Sequence, residues 1–356
     1  MTGSIRGVDR DMNDIAVRRG QPTLEDVAAA AGVSRSTASR AINGEAKVSA
    51  QARAAVADAV LALGFTPNQA ARTLVTQRTN AVALVIPEPD DRIVADPFFG
   101  AAIQGLSHAL AESDLQLVLL MARMGGSPER TVRYLRSGHV DGAVIASHHQ
   151  ADDLERTLVD SRLPSVSMGR PWHLPDQLSY VDTDNRLGGE LATEHLLGRG
   201  RRRIGTVAGP ADMTAAEDRL IGWRTAMVRA GRPDRAVEYG DFTTAGGAAA
   251  MRRLLAAEPD LDAVFVASDL MAAGALAVLR AAHRQVPGDV AVIGYDDSAV
   301  AAVTDPPLTT VVNPVATMAR TAGRLLLDRL GRPGLAGTPD VERVVFPPEL
   351  VIRAST

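Results

Sequence analysis

The stretch PTLEDVAAAAGVSRSTASRAING, residues 22–44, decides the fold of the N-terminal part of this chain. Its first half has small or apolar residues at the spacing of one buried helical face, namely Leu24, Val27, Ala28 and Ala31. Thr23 can cap this helix, because its hydroxyl can accept a hydrogen bond from an unpaired amide of the first turn. Gly32 then supplies the short turn that a helix-turn-helix unit has between its two helices.

The second helix of this unit is predicted between Ser34, which can cap it, and Asn43–Gly44, which end it. Its inward positions are small or apolar, and its outward positions are Arg35, Ser36, Ser39 and Arg40. Such an outward set suits a recognition helix, whose first turn presents side chains to base edges in the major groove of DNA. The alternative is a plain three-helix bundle on which these arginines and serines are only solvated.

The outward residues differ in what they can read on DNA. Arg35 can pair bidentately with a guanine, and Ser36 can serve several bases. Arg40, one turn later, can reach a base or a phosphate. The short hydrogen-bonding residues nearby suit phosphates, which fix the register of a protein on DNA without reading its sequence: Ser34, Thr37, Asn43 and Ser49.

A third helix over about 50–63 is expected to close the core of this bundle through Val56, Val60 and Leu63. Pro67 cannot extend that helix, and Asn68 can cap a further short helix that runs to about Val75. A helix of about two turns is not stable alone in water, so we expect it to form on DNA, paired with its copy. Its lone leucine, Leu74, can then enter the minor groove between base steps as an apolar wedge.

Residues 22–75 resemble the headpiece and hinge of the lactose-repressor (LacI/GalR) family of bacterial transcription regulators. The resemblance implies that Arg35, Ser36 and Arg40 read bases. It also implies that Asn68 caps the hinge helix and that Ala71 and Leu74 lie in the minor groove. Because the base-reading pair varies within the family, it does not give the operator sequence. The full predicted DNA-contacting set is Thr23, Ser34, Arg35, Ser36, Thr37, Ser39, Arg40, Asn43, Ser49, Asn68, Ala71 and Leu74.

Length and composition predict a globular protein that divides into domains, since 356 residues exceed one comfortable hydrophobic core. The absence of cysteine excludes a disulfide framework and a thiolate metal site. The first 20 residues lack the apolar segment of a secretion signal, and no stretch reaches the roughly 18 apolar residues of a membrane span. We therefore expect a bacterial cytoplasmic protein, associated with the nucleoid through DNA, with no metal, cofactor or membrane contact.

Net charge is unevenly divided along the chain. The formal charge of −4 at pH 7 separates into +3 for residues 1–80 and −7 for the rest. A slightly basic N-terminal part is consistent with a DNA-binding module attached to a body that does not bind DNA.

From Ala81 onward short apolar runs alternate with segments of helical period, which predicts parallel sheets covered by helices. The runs are residues 81–87, 115–121, 140–146, 163–169, 202–209, 261–268 and 290–296. The helical segments are residues 99–112, 128–137, 185–198, 216–230, 244–257 and 269–282. The first four runs and the later ones are candidates for two similar lobes.

Ligands of such sheets bind beyond the carboxyl ends of the strands, so the residues that follow each run are the candidates for a binding site. They combine carboxylates and an arginine with several of the few aromatic residues, which suits a sugar or another polyol. The predicted effector-binding set is Phe98, Phe99, Asp184, Arg219, Phe242, Ser268, Asp269 and Asp296.

Several residues near the strand ends also have a structural explanation. Asp184 and Asp269 can instead cap the helices that follow them. Arg219 can serve only as a partner of Asp218. The adjacent histidines at 148–149 are predicted to be a solvated strand end.

The body resembles the effector domain of the same family in the segments AGP…DRLIGW (208–223), VFVASDLMAAGAL (264–276), VAVIGYDD (290–297) and PPLTTV (306–311). The resemblance implies two Rossmann-like lobes joined by three crossings, with the ligand in the cleft. It implies ligand contacts for Phe98 or Phe99, Phe242, Ser268 and Asp296. Sugar-binding members often have arginine where this chain has Glu217, which leaves the ligand class open.

These features predict four segments. They are a disordered extension (1–21), a helix-turn-helix DNA-binding domain (22–66), a hinge helix and linker (67–80) and an effector-binding and dimerisation domain (81–356). Within the last, lobe one is predicted at about 81–180 plus 296–325, and lobe two at about 181–295 plus 326–356.

The predicted function is sequence-specific transcriptional regulation, as a repressor whose operator affinity is controlled by a small molecule, expected to be a sugar or a derivative. A homodimer would place two heads on a near-palindromic operator. The alternatives are a solute-binding protein and a nucleoside- or nucleobase-responsive regulator. The chain lacks the P-loop, the nucleophile-elbow and the zinc-protease motifs, so we do not predict an enzyme.

We expect Leu74→Ala to weaken binding to specific operator DNA far more than binding to nonspecific DNA, because a wedge acts only where the hinge helix forms. The measurement is the dissociation constant on both DNAs at one salt concentration. Equal losses on the two DNAs would contradict the wedge.

Overall fold

The structure, a computed structural model, describes residues 22–44, 47–66, 78–121, 128–331 and 340–356. The chain divides into two compact units, Met1–Arg78 and Thr79–Thr356. Among the described helices, none is long and apolar enough to cross a membrane. The predicted extension and residues 67–77 of the predicted hinge lie outside the described residues.

The described part of the N-terminal unit has helices α1 (Leu24–Ala30), α2 (Arg35–Ile42) and α3 (Ala50–Leu63). Each begins at a hydroxyl residue whose side chain accepts a hydrogen bond from an amide of the first turn, and these residues are Thr23, Ser34 and Ser49. The predicted caps Thr23 and Ser34 are therefore confirmed. The three helices enclose a small core of Val27, Ala28, Ala38, Val56 and Ala59.

The prediction that Leu63 helps to close this core is wrong. Leu63 is 37% exposed, whereas Phe65 packs against the buried residues. Gly64 has a left-handed backbone (φ 61°), and the amide of Phe65 donates to the carbonyl of Val60. This helix end turns the chain back on itself, so the residue after the glycine reaches the core in place of Leu63.

The described part of the larger unit contains two six-stranded sheets, each of which forms the centre of a lobe. The first sheet is parallel throughout, with the order β11 (Arg343–Phe346), β5 (Ser179–Thr183), β4 (Ser165–Met168), β3 (Gly142–Ala146), β1 (Ala81–Ile86) and β2 (Gln116–Met121). The helices of this lobe are α4 (Asp90–Ala95), α5 (Pro97–Leu110), α6 (Pro128–Arg136), α7 (Leu154–Ser161) and α13 (Val315–Leu330).

The second sheet has the order β12 (Leu350–Val351), β10 (Thr309–Val312), β9 (Ala291–Asp296), β8 (Ala263–Val266), β6 (Ile204–Ala208) and β7 (Val237–Tyr239). It is parallel except for β12, which pairs antiparallel with β10. The helices of this lobe are α8 (Asn185–Gly198), α9 (Thr214–Arg229), α10 (Thr244–Ala257), α11 (Asp269–Ala281) and α12 (Ala299–Val303).

Each of the predicted apolar runs contains a strand, and the predicted alternation with helices is confirmed. The strands that the sequence analysis missed are β5, β7, β10, β11 and β12. Two of them are buried, β5 along its whole length and β10 except at its last residue, yet their sequences SYVDT and TTVV mix hydroxyl groups with apolar side chains. A buried strand is recognised in a sequence by a continuous apolar run, and these two strands lack one.

The predicted lobe boundaries are wrong at the second and third crossings. Strand β10 pairs with β9 in lobe two, so the chain returns to lobe one near residue 313 and not near 296. Strand β11 pairs with β5 in lobe one, so the last crossing lies near residue 347 and not near 325. Helix α13 packs closely on α5 in lobe one, where a Cβ on Gly105 would lie 2.2 Å from the carbonyl oxygen of Ala316.

Asp141 anchors the chain where the larger unit begins. Its carboxylate accepts hydrogen bonds from the amide of Thr79 (2.7 Å), the hydroxyl of Thr79 (2.9 Å) and the amide of Asn80 (2.9 Å). Asn80 has a left-handed backbone (φ 54°) directly before β1. The carboxylate therefore holds an irregular turn at the entry to the first sheet.

We expect Asp141→Ala to lower the free energy of unfolding of the larger unit by about 2 kcal/mol, because backbone donors would lose a charged acceptor. The measurement is urea denaturation of the full chain, with Asp160→Ala on the exposed side of α7 as the matched control. Equal denaturation midpoints for the two variants would contradict a stabilising role for this carboxylate.

Candidate functional site

The outward face of α2 has the accessibility that a DNA-reading surface needs. Arg35, Ser36 and Arg40 are exposed, and Thr37 and Ser39 are half-buried. The hydroxyl of Ser34 lies 2.9 Å from those of both Ser36 and Thr37. The helix therefore presents two arginines and a group of hydroxyl groups around its first turn.

Arg35 is held in this conformation by an ion pair on the surface. Its Nε lies 2.8 Å from Oε1 of Glu25 on α1, with side chains that are 70% and 60% exposed. Ion pairs of this kind contribute about 0–1 kcal/mol and are screened by salt, so a base or phosphate can replace Glu25 at little cost. The predicted hinge contacts Asn68, Ala71 and Leu74 lie outside the described residues.

A cavity lies between the two lobes of the larger unit, and residues of both lobes line it. Its walls come from loops at the carboxyl ends of strands in both sheets. The predicted effector residues that line it are Phe98, Phe99, Arg219, Phe242, Ser268 and Asp296. Residues far apart in sequence thus meet at one place.

Arg219 of α9 is the most constrained group in the cavity wall. Its Nε donates to Oδ1 of Asn185 (2.9 Å), and its Nη1 donates to the carbonyl of Ala267 (2.6 Å). The guanidinium lies 3.6 Å from the centroid of the Tyr295 ring, and Nη1 is 3.7 Å from Oδ1 of Asp296. These contacts fix a buried positive charge beside the cavity.

Asp296 ends β9 with an unusual backbone. Its φ is 115°, in the left-handed region that a non-glycine residue rarely adopts, and such conformations concentrate at functional sites. The side-chain amide of Asn313 donates to its Oδ1 (3.2 Å). Burial raises the pKa of Asp296 to about 7, against the opposing effect of Arg219. Near neutral pH this carboxyl can therefore both accept and donate hydrogen bonds.

Two further carboxyls line the cavity. Burial raises the pKa of Asp182, at the end of β5, to about 6, although the amides of Thr183 and Arg170 donate to it. Burial also raises the pKa of Asp96, which caps α5 by accepting from the amide of Phe98. Burial therefore raises the pKa of all three lining carboxyls, Asp96, Asp182 and Asp296.

The aromatic part of the lining comes from both lobes. In lobe one, the rings of Phe98 and Phe99 meet edge to face with centroids 5.2 Å apart. In lobe two, Phe242 has φ 62°, and its ring centroid is 5.7 Å from the guanidinium carbon of Arg92 and 5.8 Å from that of Arg219. Aromatic faces beside hydrogen-bonding groups are the arrangement that a sugar ring requires.

Two predicted effector residues do not line this cavity. Asp184 caps α8, where its carboxylate accepts from the amide of Leu187 (3.0 Å). Asp269 is fully buried, and its carboxylate accepts from the hydroxyl of Thr310 (2.7 Å) and the amide of Ser298 (2.8 Å). The prediction of effector contacts is corrected for both: Asp184 caps the helix that follows it, as the structural alternative predicted, whereas Ser268 caps α11 and Asp269 instead joins α11 to β10 and to the start of α12.

Two structural explanations also fail. Arg219 is not a partner of Asp218, which instead accepts from Arg170 (2.9 Å) and Arg186 (2.8 Å). His148 is not solvated, since it is 4% exposed and lines the cavity. Burial lowers the pKa of its imidazole, which favours the neutral form.

Several lining residues were not predicted from the sequence, among them Arg92, Asn185 and Asn313. Asn185 follows β5 closely, and Asn313 directly follows β10. The rule that ligands bind after strand ends would have found both if those strands had been recognised. Arg92 lies within α4 and not directly after a strand, so this rule would not have found it, although its guanidinium donates to Glu88 four residues before it (2.6 Å). The described residues contain no cluster of acidic or histidine side chains arranged for a metal ion.

Comparison with known families assigns both parts of the chain. Residues 23–68 match the model of "Bacterial regulatory proteins, lacI family", and residues 193–356 match that of a "Periplasmic binding protein-like domain". The HTH-type transcriptional regulator CelR of Thermobifida fusca is 49% identical over 341 residues, which cover 95% of this chain and 99% of that protein. The chain belongs to the lacI family of bacterial regulatory proteins.

Solved structures of lacI-family proteins agree with this assignment. A structure described as the transcriptional regulator CelR–cellobiose complex is 46% identical, covers 94% of this chain and 100% of its own, and has a TM-score of 0.75. The lac repressor dimer bound to operator and an anti-inducer is 25% identical, covers 95% and 99%, and has a TM-score of 0.82. The N-terminal helices are thus a DNA-binding head, and the chain is a DNA-binding transcriptional regulator.

We expect Arg35→Ala to change the base preference at one position of each operator half-site, with a loss of about 1–3 kcal/mol for the preferred base. Arg35→Lys is the control, because it keeps the charge but not the bidentate geometry. The measurement is binding to a set of operators varied at each position. Uniform weakening across the set would identify Arg35 as a phosphate contact.

Proposed function

We propose that this lacI-family regulator is a repressor that binds a near-palindromic operator as a homodimer and responds to a neutral sugar, of which cellobiose is the first candidate. The observation that carries the proposal is the convergence of aromatic, amide and carboxyl groups on one cavity between the lobes. The CelR–cellobiose complex, at 46% identity over 94% of this chain, supports cellobiose as the ligand. We propose that the regulator acts on DNA in the bacterial cytoplasm.

The charges of the cavity favour a neutral ligand over an anionic one. Asp96, Asp182 and Asp296 line it, and the arginines that could balance them, Arg92 and Arg219, already bond to Glu88 and to Asn185 and Ala267. A sugar phosphate would lie beside these three carboxyl groups, whereas Arg92 and Arg219 each already lie beside a carboxylate, Glu88 and Asp296. A neutral sugar offers hydroxyl groups that match carboxyl and amide partners, and ring faces that match Phe98 and Phe242.

A ligand that binds across both lobes can control the head by changing how the lobes are held. Such control is a coupling free energy, typically about 1–3 kcal/mol, and it is reciprocal, so operator DNA must weaken an inducing sugar by the same factor. We propose that the sugar acts as an inducer. A corepressor would strengthen operator binding, and the experiment below distinguishes the two.

The test is a thermal-shift titration of the full chain with cellobiose, glucose, a sugar phosphate and adenosine, followed by operator binding with each ligand that stabilises the protein. Cellobiose at about 100 times its Kd adds roughly 2.7 kcal/mol to stability, and it should release the operator. Stabilisation by the sugar phosphate or by adenosine alone would contradict a neutral-sugar site. We also expect cellobiose to be recovered unchanged after long incubation, as fits a regulator without catalytic activity.

We expect Phe98→Ala to weaken cellobiose binding about tenfold through lost ring stacking, about 1.4 kcal/mol, while operator binding without sugar stays unchanged. Tyr134→Ala is the matched control, because Tyr134 stacks on His139 away from the cavity lining. Calorimetric titration gives the dissociation constants. Equal cellobiose affinities for the two variants would show that Phe98 does not contact the sugar.

A further inference from the structure

A row of charged groups connects the two lobes beside the cavity, without belonging to its lining. Glu88 and His149 follow β1 and β3 in lobe one, and Asp212 follows β6 in lobe two. Nε2 of His149 lies 3.1 Å from Oε1 of Glu88, and its Nδ1 lies 2.8 Å from Oδ2 of Asp212. The imidazole therefore bridges two carboxylates from different lobes.

The lobe-one half of this bridge is rigidly built. Glu88 is 3% exposed, and it accepts from the hydroxyl of Ser147 (2.6 Å) and from Nη1 of Arg92 (2.6 Å). The amide of His149 donates to Oδ2 of Asp152 (2.8 Å). Contacts within lobe one alone therefore hold both the backbone and the side chain of His149.

The geometry requires a protonated imidazole. Ionised carboxylates only accept hydrogen bonds, so an imidazole that bonds to one on each side must donate from both ring nitrogens. The hydrogen bond to Glu88 raises the pKa of His149 to about 9, and Asp212 adds to this against the opposing effect of burial. His149 is therefore charged at neutral pH while the lobes are in contact.

Lobe one also binds the main chain of Asp212. Its carbonyl accepts from the amide of Gln150 (2.8 Å) and from Nε1 of Trp172 (2.8 Å), both in lobe one. The loop that contains Asp212 is thus bonded to lobe one through its side chain and its backbone. Trp172 is half-buried, whereas Trp223, the other tryptophan of the chain, is fully buried in lobe two.

We propose that His149 is a positioning residue that holds the effector cleft closed by an ionic bridge between Glu88 of lobe one and Asp212 of lobe two. The inference rests on the proposed function, because it assigns the bridge to the lobes that enclose the sugar. Opening the cleft breaks the bond to Asp212 and leaves the bond to Glu88. A sugar that binds between the closed lobes is therefore bound more tightly because of the bridge, although it does not contact the bridge.

The bridge gives effector binding a pH dependence of defined sign. The groups that face His149 are Glu88, Asp152, Asp212 and the adjacent His148. Since Asp212 departs on opening, the pKa of His149 is higher in the closed form than in the open form. The contribution to closure is complete below the open-form pKa and is lost as the pH rises through about 9.

The first experiment measures closure without any ligand, by acrylamide quenching of tryptophan fluorescence in the full chain. His149→Gln should increase the quenching and shift the emission to the red, because Trp172 loses its packing against the Asp212 loop. Trp172→Phe gives the background from Trp223. His108→Gln, on the exposed side of α5, is the matched control and should resemble the unmodified chain.

The second experiment measures cellobiose affinity between pH 7 and 10. His149→Gln should weaken binding about tenfold at pH 7.5, which corresponds to about 1.4 kcal/mol, and should flatten the pH profile. The unmodified chain should lose affinity as the pH rises toward and through about 9. Asp212→Asn tests the same bridge. The side chain of Asp212 is 48% exposed, so this substitution should not destabilise the fold.

The two experiments separate the bridge from the identity of the effector. If the quenching changes in the His149 and Asp212 variants but no sugar binds, the bridge stands and the proposed effector is wrong. If sugar binds but neither variant changes the quenching or the pH profile, the bridge is wrong and the proposed function stands. A changed affinity with an unchanged pH profile would also overturn the ionic bridge.

Discussion

The burial of one guanidinium group constrains the centre of the effector body. Arg219 is 5% exposed, and a charge in that position is tolerated only if its donors are satisfied. Asn185 at the start of α8, the carbonyl of Ala267 after β8 and Asp296 at the end of β9 meet this need. Because these partners come from separate elements, satisfying Arg219 fixes the carboxyl ends of the second sheet relative to one another.

The same burial gives the cavity its chemistry. Burial raises the pKa of Asp182 to about 6 and that of Asp296 to about 7, against the opposing effect of Arg219. Such groups offer acceptors and donors to hydroxyl groups without strong net charge. The strained backbones at Phe242 (φ 62°) and Asp296 (φ 115°) aim an aromatic face and a carboxyl into the same space. Both features suit recognition of a neutral polyol.

Contacts between the lobes connect this recognition to regulation. Arg170 of lobe one bonds to Asp218 of α9 at 2.9 Å, and its carbonyl accepts from the hydroxyl of Thr214 at 2.8 Å. Together with the bridge at His149, these bonds form a polar rim around the ligand space. A regulator needs a closed form that is only slightly favoured, so that about 1–3 kcal/mol from a ligand can decide the population. Partly exposed ion pairs provide small increments of this size.

The head, the layered body and part of the cavity could be predicted from the sequence alone. Capping hydroxyls act within three residues of their targets, so Thr23 and Ser34 could be assigned from local pattern, and the apolar runs 261–268 and 290–296 marked strands whose ends carry Ser268 and Asp296 toward the cavity. Tertiary contacts were needed to locate the crossings between the lobes, to place Asp269 against Thr310 and Ser298, and to bring His149 to Asp212. These outcomes depend on which distant groups compete for each carboxylate, and no local period in the sequence encodes that competition.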